Sequence, residues 1–302
     1  PRRWEERETM MEPPDLEVLA AFIAMVRKEA STSQVIPSPA ELVLRAGRFF
    51  LGTPYAARTL EAPGPESLVV NLRTCDCFTL VENCCALAIL ARQIITESRP
   101  DIPALIPLPG RYDGGDSVTP HDPSPERLAA AFAALLRTLR YRDGVIAGYA
   151  SRLHYFSDWL GENERKGLLR DITARLGGRP APKAIDFMTK HRELYPPLGD
   201  ADVWRELRET ERRLSASPRL VLTKEEIARW EEKPAPGDLV AIATHEEGLD
   251  VAHAGIAIRV AGRLHLLHAS SRAGRVIVSP ETLAAYLEAQ DDLAGVIVAR
   301  LR

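Results

Sequence analysis

The sequence predicts an α+β fold, in which helices come first and a mostly antiparallel sheet follows. Two observations support this prediction. Amphipathic helical patterns fill most of the chain as far as residue 231. The last third instead contains short runs rich in β-branched residues, separated by turn signals at Glu247-Gly248, Ala261-Gly262 and Ala273-Gly274. Strands joined by tight turns pair antiparallel, and a block of helices followed by such strands is typical of α+β domains.

The predicted helices are defined by apolar periodicity and by their end signals. They are Leu16–Ala30, Pro39–Phe50, Asp76–Thr96, Pro125–Tyr141, Ser157–Leu176, Ala184–Leu194, Asp200–Leu214 and Thr223–Glu231. Gly52 is expected to cap the second helix, and Thr223 with Glu226 has the pattern of a capping box. A short strand-like run is expected at Leu68–Val70, and a long Pro- and Gly-rich loop at Pro100–Pro125.

The predicted strands begin near residue 238. They are Asp238–Ala243, Ala254–Ile258, Leu264–His268, Val276–Val278 and Gly295–Leu301, with a short helix at Pro280–Glu288. We predict an N-terminal helical extension over residues 1–37. One domain is expected over residues 38–302, with a helical insertion around 100–235.

Composition excludes some classes of function. The 302 residues include 39 basic and 42 acidic side chains, and the net charge of −3 gives no reason to expect a nucleic-acid partner. No run of about 18 apolar residues is present, so no membrane span is expected. The chain begins at Pro1, so we expect a trimmed or processed form from which an export signal would have been removed.

Asp76-Cys77-Phe78-Thr79 places a cysteine at a predicted helix start. Asp76 is a residue type that accepts hydrogen bonds from the first free N–H groups of a helix. The helix dipole and a nearby imidazolium can lower a thiol pKa from about 8.5 to roughly 3.5–7.5. The Cys77 N–H is also placed to bind an oxyanion during attack on an amide. Cys77 is therefore the candidate nucleophile, although a buried structural cysteine has the same local pattern.

Two histidines supply the candidate partners. His253 opens a predicted strand beside the small residues Ala254 and Gly255, and His268 ends the next strand. A hairpin between these strands would bring the two histidines together, so that His268 could hold the His253 ring as the third member of a triad. For either histidine alone, an ordinary strand residue bonded to a backbone carbonyl is the simpler interpretation.

All four cysteines, Cys75, Cys77, Cys84 and Cys85, fall between positions 75 and 85. A secreted disulfide scaffold would distribute its cysteines along the chain. Cys84 shares a helix face with Cys77, and we expect it to pack in the core with Cys85. A zinc site is the main alternative, but the C-x-C and C-C spacings do not match the usual zinc knuckles.

These residues resemble the NlpC-type branch of the papain-like cell-wall peptidases. Longer strings are similar to a narrower group, the N-acetylmuramoyl-L-alanine amidase-like family, over about residue 38 to the C-terminus. They are Leu51-Gly52-Thr53-Pro54-Tyr55, Asp76-Cys77-Phe78-Thr79-Leu80-Val81-Glu82-Asn83, Ser151-Arg152-Leu153-His154-Tyr155-Phe156-Ser157-Asp158-Trp159, Asp186-Phe187-Met188-Thr189, His253-Ala254-Gly255-Ile256 and Leu267-His268-Ala269-Ser270-Ser271.

The resemblance implies a papain-like fold that packs the nucleophile helix on an antiparallel sheet. It implies hydrolysis of an amide bond in peptidoglycan, with Cys77 attacking, His253 as base and acid, and His268 orienting. Peptidoglycan or its muropeptide fragments would be the partner, no cofactor or metal is implied, and export to the periplasm or cell envelope is expected. The family pattern leads us to expect a glycine where this chain has Arg58, whose side chain could narrow the cleft or add a positive charge.

Five further residues are candidates for substrate binding. Tyr55 precedes the nucleophile, Ser271 follows His268, and Arg152, Tyr155 and Trp159 belong to a dense polar and aromatic string suited to a sugar-peptide. For each of them a structural role is the alternative. For the whole chain, three alternatives remain: a stem-peptide endopeptidase, an acyl transferase using the same triad, and a non-catalytic cell-wall-binding module.

Overall fold

The structure is a computed structural model that describes residues 11–32, 35–61, 64–97 and 124–302. The helices in this part of the chain are α1 (Pro13–Thr32), α2 (Pro39–Phe49), α3 (Cys77–Glu97), α4 (Pro125–Arg140), α5 (Phe156–Arg165), α6 (Thr173–Leu176), α7 (Phe187–Lys190), α8 (Ala201–Ala216), α9 (Ile227–Trp230) and α10 (Leu283–Glu288). The strands are β1 (Leu169–Asp171), β2 (Arg179–Ala181), β3 (Arg219–Thr223), β4 (Leu239–Thr244), β5 (Val251–Val260), β6 (Arg263–Ser270), β7 (Arg275–Val278) and β8 (Leu293–Leu301).

These eight strands form one sheet in the order β2-β3-β8-β4-β5-β6-β7, and β1 pairs with the end of β8. All the strand pairs are antiparallel, which confirms the predicted α+β class and the direction of pairing. The strands β4 to β7 form the meander that the turn signals predict. The chain then returns through α10, and β8 lies beside β4 in the middle of the sheet.

The two faces of the sheet are covered by different helices. Ile256 and Ile258 of β5 and Leu267 of β6 lie in the main core with α2 and α3. The alternate residues, including Ala257 and Leu266, pack on the opposite face against α10. The helix α3 is apolar and long enough to cross a membrane by composition, but 83% of its apolar window is buried inside the protein. It is therefore the central helix of the core. Helices cover both faces of the sheet.

The helix α1 belongs to the same core as the rest of the chain. Its residues Leu19, Phe22 and Ile23 are buried with α2 and α3. The buried Asp15 carboxylate accepts the Leu72 N–H at 2.8 Å and so fixes the segment before α3. The described part of the predicted extension thus contributes side chains to the main core.

Several predicted elements differ from the structure. The helix predicted over Ser157–Leu176 is interrupted after α5, because the chain there forms β1, which pairs with β8, before it turns into the short helix α6. Three strands, β1, β2 and β3, lie inside the segment predicted as a helical insertion. No strand forms at Leu68–Val70, and the Thr223 side chain makes no cap hydrogen bond. The loop predicted over Pro100–Pro125 lies almost entirely outside the described residues.

The capping residues of α2 differ from those that the sequence analysis predicts. The capping box of α2 is formed by Ser38 and Glu41, whose side chains bond reciprocally to each other's backbone N–H groups. Phe50 caps the C-terminus of this helix, and Gly52 follows with φ +89° in the turn that leads to Tyr55. The predicted end of the helix is therefore correct within two residues, while the capping residue is different.

Candidate active site

Cys77 is the first residue of α3, and Asp76 caps this helix. One Asp76 carboxylate oxygen accepts the backbone N–H groups of Phe78 at 3.1 Å and Thr79 at 2.8 Å, and also the Thr79 hydroxyl. Cys75 is tied to the preceding loop, because its N–H donates to the Pro54 carbonyl at 3.2 Å. These bonds fix the backbone on both sides of Cys77, whose side chain is half-buried.

His253 and His268 form a hydrogen-bonded pair. The His253 Nε2 lies 2.6 Å from the His268 Nδ1, and the two rings are nearly perpendicular with their centroids 4.8 Å apart. The paired part of β5 and β6 ends at Ile256 and Leu267. The pair therefore lies at the end of the sheet where the two strands separate.

The Cys77 thiol lies at this same end of the sheet. The backbone N–H groups of Ala254, Cys77 and Phe78 are within hydrogen-bonding reach of the sulfur and lower its pKa. Because Ala254 directly follows His253, its contact with the thiol places the start of β5 against the start of α3. The structure thus brings together Cys77, His253 and His268, the three residues that the sequence analysis selects as catalytic candidates.

Burial determines the protonation state of these groups. Burial and the Asp76 carboxylate together raise the pKa of Cys77 to about 12, against the effect of the three N–H groups. Burial and the proximity of His268 lower the pKa of His253 to about 3, and burial lowers that of His268 to about 4. At neutral pH the thiol and both imidazoles are therefore uncharged.

This outcome contradicts the expectation of a lowered thiol pKa at a helix start. The expected lowering depends on a nearby imidazolium, and burial disfavours that cation as strongly as it disfavours the thiolate. The N–H groups at the helix N-terminus still lower the pKa of the thiol, but by less than the loss of hydration raises it.

Tyr286 of α10 covers the histidine pair, and the sequence analysis does not identify it. Its ring stacks on the His253 ring with centroids 6.4 Å apart and meets the edge of the His268 ring at 6.1 Å. The charge of a Cys77 thiolate would act on its hydroxyl, as it would on that of Tyr55. No local pattern around Tyr286 distinguishes it from any other helix tyrosine, because its role arises only when α10 packs over β5 and β6.

Two of the five candidate substrate-binding residues lie outside the core. Tyr55 is half-buried, and its N–H donates to the Gly274 carbonyl at 2.9 Å. Ser271 is exposed in the turn between β6 and β7, three residues after His268. Both lie at the end of the sheet that carries the histidine pair.

The other three candidates are buried away from the surface. Arg152, Tyr155 and Trp159 are 4%, 2% and 0% exposed. The Arg152 guanidinium bonds to the Leu60 carbonyl and pairs with Glu61 at 2.6 Å. The expected substrate contact of these three residues therefore gives way to a structural role, since none offers a surface to a ligand.

Their structural role is to hold the walls of the site. Arg152 anchors the loop that follows Tyr55. The Trp159 ring packs edge-on against Phe78, the neighbour of Cys77, with centroids 5.4 Å apart. The Tyr155 hydroxyl donates to the buried Glu211 carboxylate at 2.7 Å and fixes α8.

Neither a metal site nor a disulfide is formed within the described ranges. No group of three or more His, Cys, Asp or Glu residues there is arranged to hold a metal ion. All four cysteines are free, and Cys84 and Cys85 pack in the core with pKa values that burial raises.

Comparison with known proteins identifies the family. The model of the family described as N-acetylmuramoyl-L-alanine amidase-like matches residues 45–104 and 111–296. A crystal structure of an N-acetylmuramoyl-L-alanine amidase from Bacteroides uniformis is 34% identical with a TM-score of 0.71, covering 87% of this chain and 99% of that one. No curated protein matches the chain.

Two further structures have the same fold. A candidate xylanase from Bacteroides fragilis is 35% identical with a TM-score of 0.69, covering 85% of this chain and 99% of that one. A Legionella pneumophila protein is 17% identical with a TM-score of 0.62, covers 94% of each chain and supports the fold alone. The family match extends over α3 and over β5 and β6, so the chain belongs to the N-acetylmuramoyl-L-alanine amidase-like family.

Proposed function

We propose that this protein is a papain-like cysteine hydrolase of the NlpC type that cleaves the amide bond between N-acetylmuramic acid and L-alanine in peptidoglycan. The observation that carries the proposal is the 2.6 Å contact of His253 with His268, beside a thiol that meets the Ala254 N–H. This is the arrangement of a nucleophile, a base and an orienting group. The family supplies the substrate class.

The contact between the two rings supports one position for each proton. The His253 Nε2 faces His268, so the His253 Nδ1 is the atom left to accept the thiol proton. Nε2 then carries the hydrogen and donates it to the His268 Nδ1, which fixes the tautomer and the ring plane. Tyr286 restricts the same ring from its face through their stacking.

Catalysis then proceeds in two steps. As the Cys77 sulfur attacks the carbonyl carbon of the amide, its proton passes to His253. The resulting imidazolium donates this proton to the leaving amine, and a thioester forms. Water, deprotonated by His253, next attacks the thioester carbon, and Cys77 leaves and recovers its proton. The Cys77 N–H is the candidate donor to the oxyanion in both steps.

Glycoside hydrolysis, the activity named for one relative, fits the site less well. Glycosidases of the common type place two carboxyl groups about 5–9.5 Å apart on either side of the scissile bond. Here the Asp76 carboxylate is engaged in capping α3, and the groups beside it are a thiol and imidazoles. We therefore favour amide chemistry.

Mass spectrometry of muropeptides before and after incubation tests the proposal. We expect the wild type to release the intact stem peptide, and Cys77→Ala and His253→Ala to release none. Cys75→Ala is the matched control, because it removes another thiol two residues away and should retain activity.

Each result separates the alternatives. Cleavage within the stem would keep the mechanism and change the enzyme to an endopeptidase. A product joined to an added amine would indicate acyl transfer. Full activity of Cys77→Ala would exclude the cysteine mechanism, and binding without turnover by the wild type would indicate a cell-wall-binding module. The expected export and the stated partner both depend on this peptidoglycan substrate.

A further inference from the structure

Three exposed arginines lie on the two segments whose backbones are bonded to the loop before Cys77. Arg58, Arg272 and Arg275 are exposed, and within the described residues their guanidinium groups make no hydrogen bond or ion pair. Arg152, by contrast, is buried and pairs with Glu61 at 2.6 Å. What Arg58, Arg272 and Arg275 share is their position on the segments next to Cys77, and we call these three cations the arginine rim.

A ladder of backbone hydrogen bonds places the arginine rim at the site. The Val276 N–H donates to the Thr53 carbonyl at 2.8 Å, and the Tyr55 N–H donates to the Gly274 carbonyl at 2.9 Å. The Ala56 N–H then donates to the Cys75 carbonyl at 3.1 Å. The turn that carries Arg272 and Arg275 is thereby joined to the loop that carries Arg58, and both are joined to the segment that ends at Cys77.

Arg58 is held in a backbone conformation that favours glycine. Its φ is +58°, in the left-handed region, which is strained for a residue with a Cβ. Its charge acts on the Tyr195 hydroxyl, across the loop. No internal contact of its guanidinium within the described residues offsets the strain. Such an outlier at the edge of a site points to a contact with a ligand.

The rest of the site leaves the arginine rim as the main source of positive charge. Cys77, His253 and His268 are uncharged at neutral pH. Carboxylates also face this end: Asp76 at the helix start, Glu281, whose charge acts on His268, and Asp292, whose charge acts on Tyr286. The guanidinium groups of the rim have no ion pair with any of them among the described residues, so they are available to an anionic ligand that reaches past the scissile bond.

We propose that the arginine rim binds the free carboxylates of the peptide on one side of the scissile amide, so that the enzyme selects stem peptides whose carboxylates are not amidated. This proposal rests on the proposed function, because it specifies the substrate of the same site. A planar guanidinium pairs with a carboxylate through two parallel N–H···O bonds, which gives both affinity and orientation.

Two muropeptides that differ only in amidation of their stem carboxylates test the proposal. We measure kcat and KM for the wild type, for Arg58→Gln, Arg272→Gln and Arg275→Gln, and for the triple variant. Arg170→Gln is the matched control, because Arg170 is an exposed arginine on β1 whose guanidinium makes no hydrogen bond or ion pair among the described residues. Thermal unfolding of each variant checks that the fold is retained.

We expect each rim substitution to raise KM for the free-acid substrate about fivefold, near the upper limit for an exposed ion pair, with kcat retained. The triple variant should lose most of the wild-type preference for the free acid, and Arg170→Gln should keep it. An unchanged preference in the triple variant would overturn the proposal.

Binding distinguishes this proposal from the proposed function. If the wild type cleaves neither muropeptide, the proposed amidase activity fails, and the rim is then tested with Cys77→Ala by calorimetry. Tighter binding of the free acid, lost in the triple variant and weakened at high salt, supports the rim. Equal binding of the two muropeptides refutes it.

Discussion

The uncharged state of the Cys77 thiol can be tested directly by alkylation. Its pKa is raised to about 12 by burial and by the Asp76 carboxylate, whereas a free cysteine titrates near about 8.5. At pH 7 the thiolate fraction is therefore smaller than that of a free thiol by a factor of about 3,000. A thiolate of higher pKa is intrinsically more nucleophilic, and a Brønsted slope of about 0.4–0.5 recovers roughly a factor of 40.

The two effects combine to a rate about 100-fold below that of a free cysteine at pH 7. The measurement is the rate of carbamidomethylation by iodoacetamide, followed by mass spectrometry between pH 5 and pH 10. We expect the logarithm of the rate to rise by about one unit for each pH unit without a plateau. Cys77→Ala is the control, since Cys75, Cys84 and Cys85 are at most 2% exposed and should not react.

A plateau would refute this reasoning. If the rate levels off with a midpoint below pH 8, the resting site contains a thiolate stabilised by an imidazolium, and the pKa values derived from burial are wrong. The same test in His253→Ala separates the causes. Loss of the plateau in that variant would assign the thiolate to the imidazolium, and its persistence would assign it to the N–H groups at the helix start.

Three other predictions concern positioning and stability. His268→Ala should lower kcat about 10²–10⁴-fold with KM little changed, because His268 orients the base without touching the substrate. This loss should be smaller than that caused by Cys77→Ala. Steady-state kinetics measures both, and an unchanged kcat in His268→Ala would remove His268 from the triad. Arg140→Met should lower the free energy of unfolding by about 3–5 kcal/mol, because it leaves the buried Glu82 carboxylate without its partner at 2.7 Å. Urea unfolding measures this loss, and adding Glu82→Leu should restore most of it. Burial and Arg152 lower the pKa of the His154 ring to about 3, so between about pH 6.5 and pH 3 only the unfolded chain binds a proton at this residue. The free energy of unfolding should therefore fall as the pH drops through this range, by up to about 1.4 kcal/mol per pH unit for His154. Urea unfolding of His154→Gln should show a shallower dependence of this free energy on pH, and an equal dependence would contradict the assignment.

The predictable part of the fold is the part set by local signals. The meander from β4 to β7 follows from tight turns such as Ala261-Gly262, which fix antiparallel neighbours. The short strand β1 was not predictable, because Leu169–Asp171 pairs with residues 299–301 at the far end of the chain. Three residues carry too little periodicity to distinguish such a strand from the end of a helix.

The candidate site likewise has one part that local sequence signals predict and another part that they do not. Cys77, His253 and His268 each have a recognisable local setting, and the structure brings all three to one end of the sheet. Tyr286 and the Ala254 N–H enter only through tertiary packing, so the sequence gives no sign of them. Burial is likewise a tertiary property, and it raises the pKa of Cys77 where the N–H groups of the helix start alone would lower it.

The string around Arg152 shows how burial reverses an interpretation. A run of arginine and aromatic residues is typical of both a ligand-binding surface and a buried ionic anchor, and only accessibility separates the two. Arg152 is 4% exposed and pairs with Glu61, whereas Arg58, in the loop that Arg152 anchors, is exposed and without a partner among the described residues. The cation available to a ligand in this loop is therefore Arg58, at a position where we expect a glycine.

A neutral nucleophile and a positive rim are mutually consistent. A thiolate at Cys77 would repel a peptide whose carboxylates lie beside the scissile amide, and it would also attract the guanidinium groups of the rim. An uncharged thiol removes both effects, so the arginines remain free to bind the peptide before any charge develops on sulfur. The proton then moves to His253 only during attack, when the developing oxyanion meets the N–H groups at the start of α3. In such a site the exposed arginines supply binding selectivity, while the Cys77 thiol and the pair of His253 and His268 supply the chemistry.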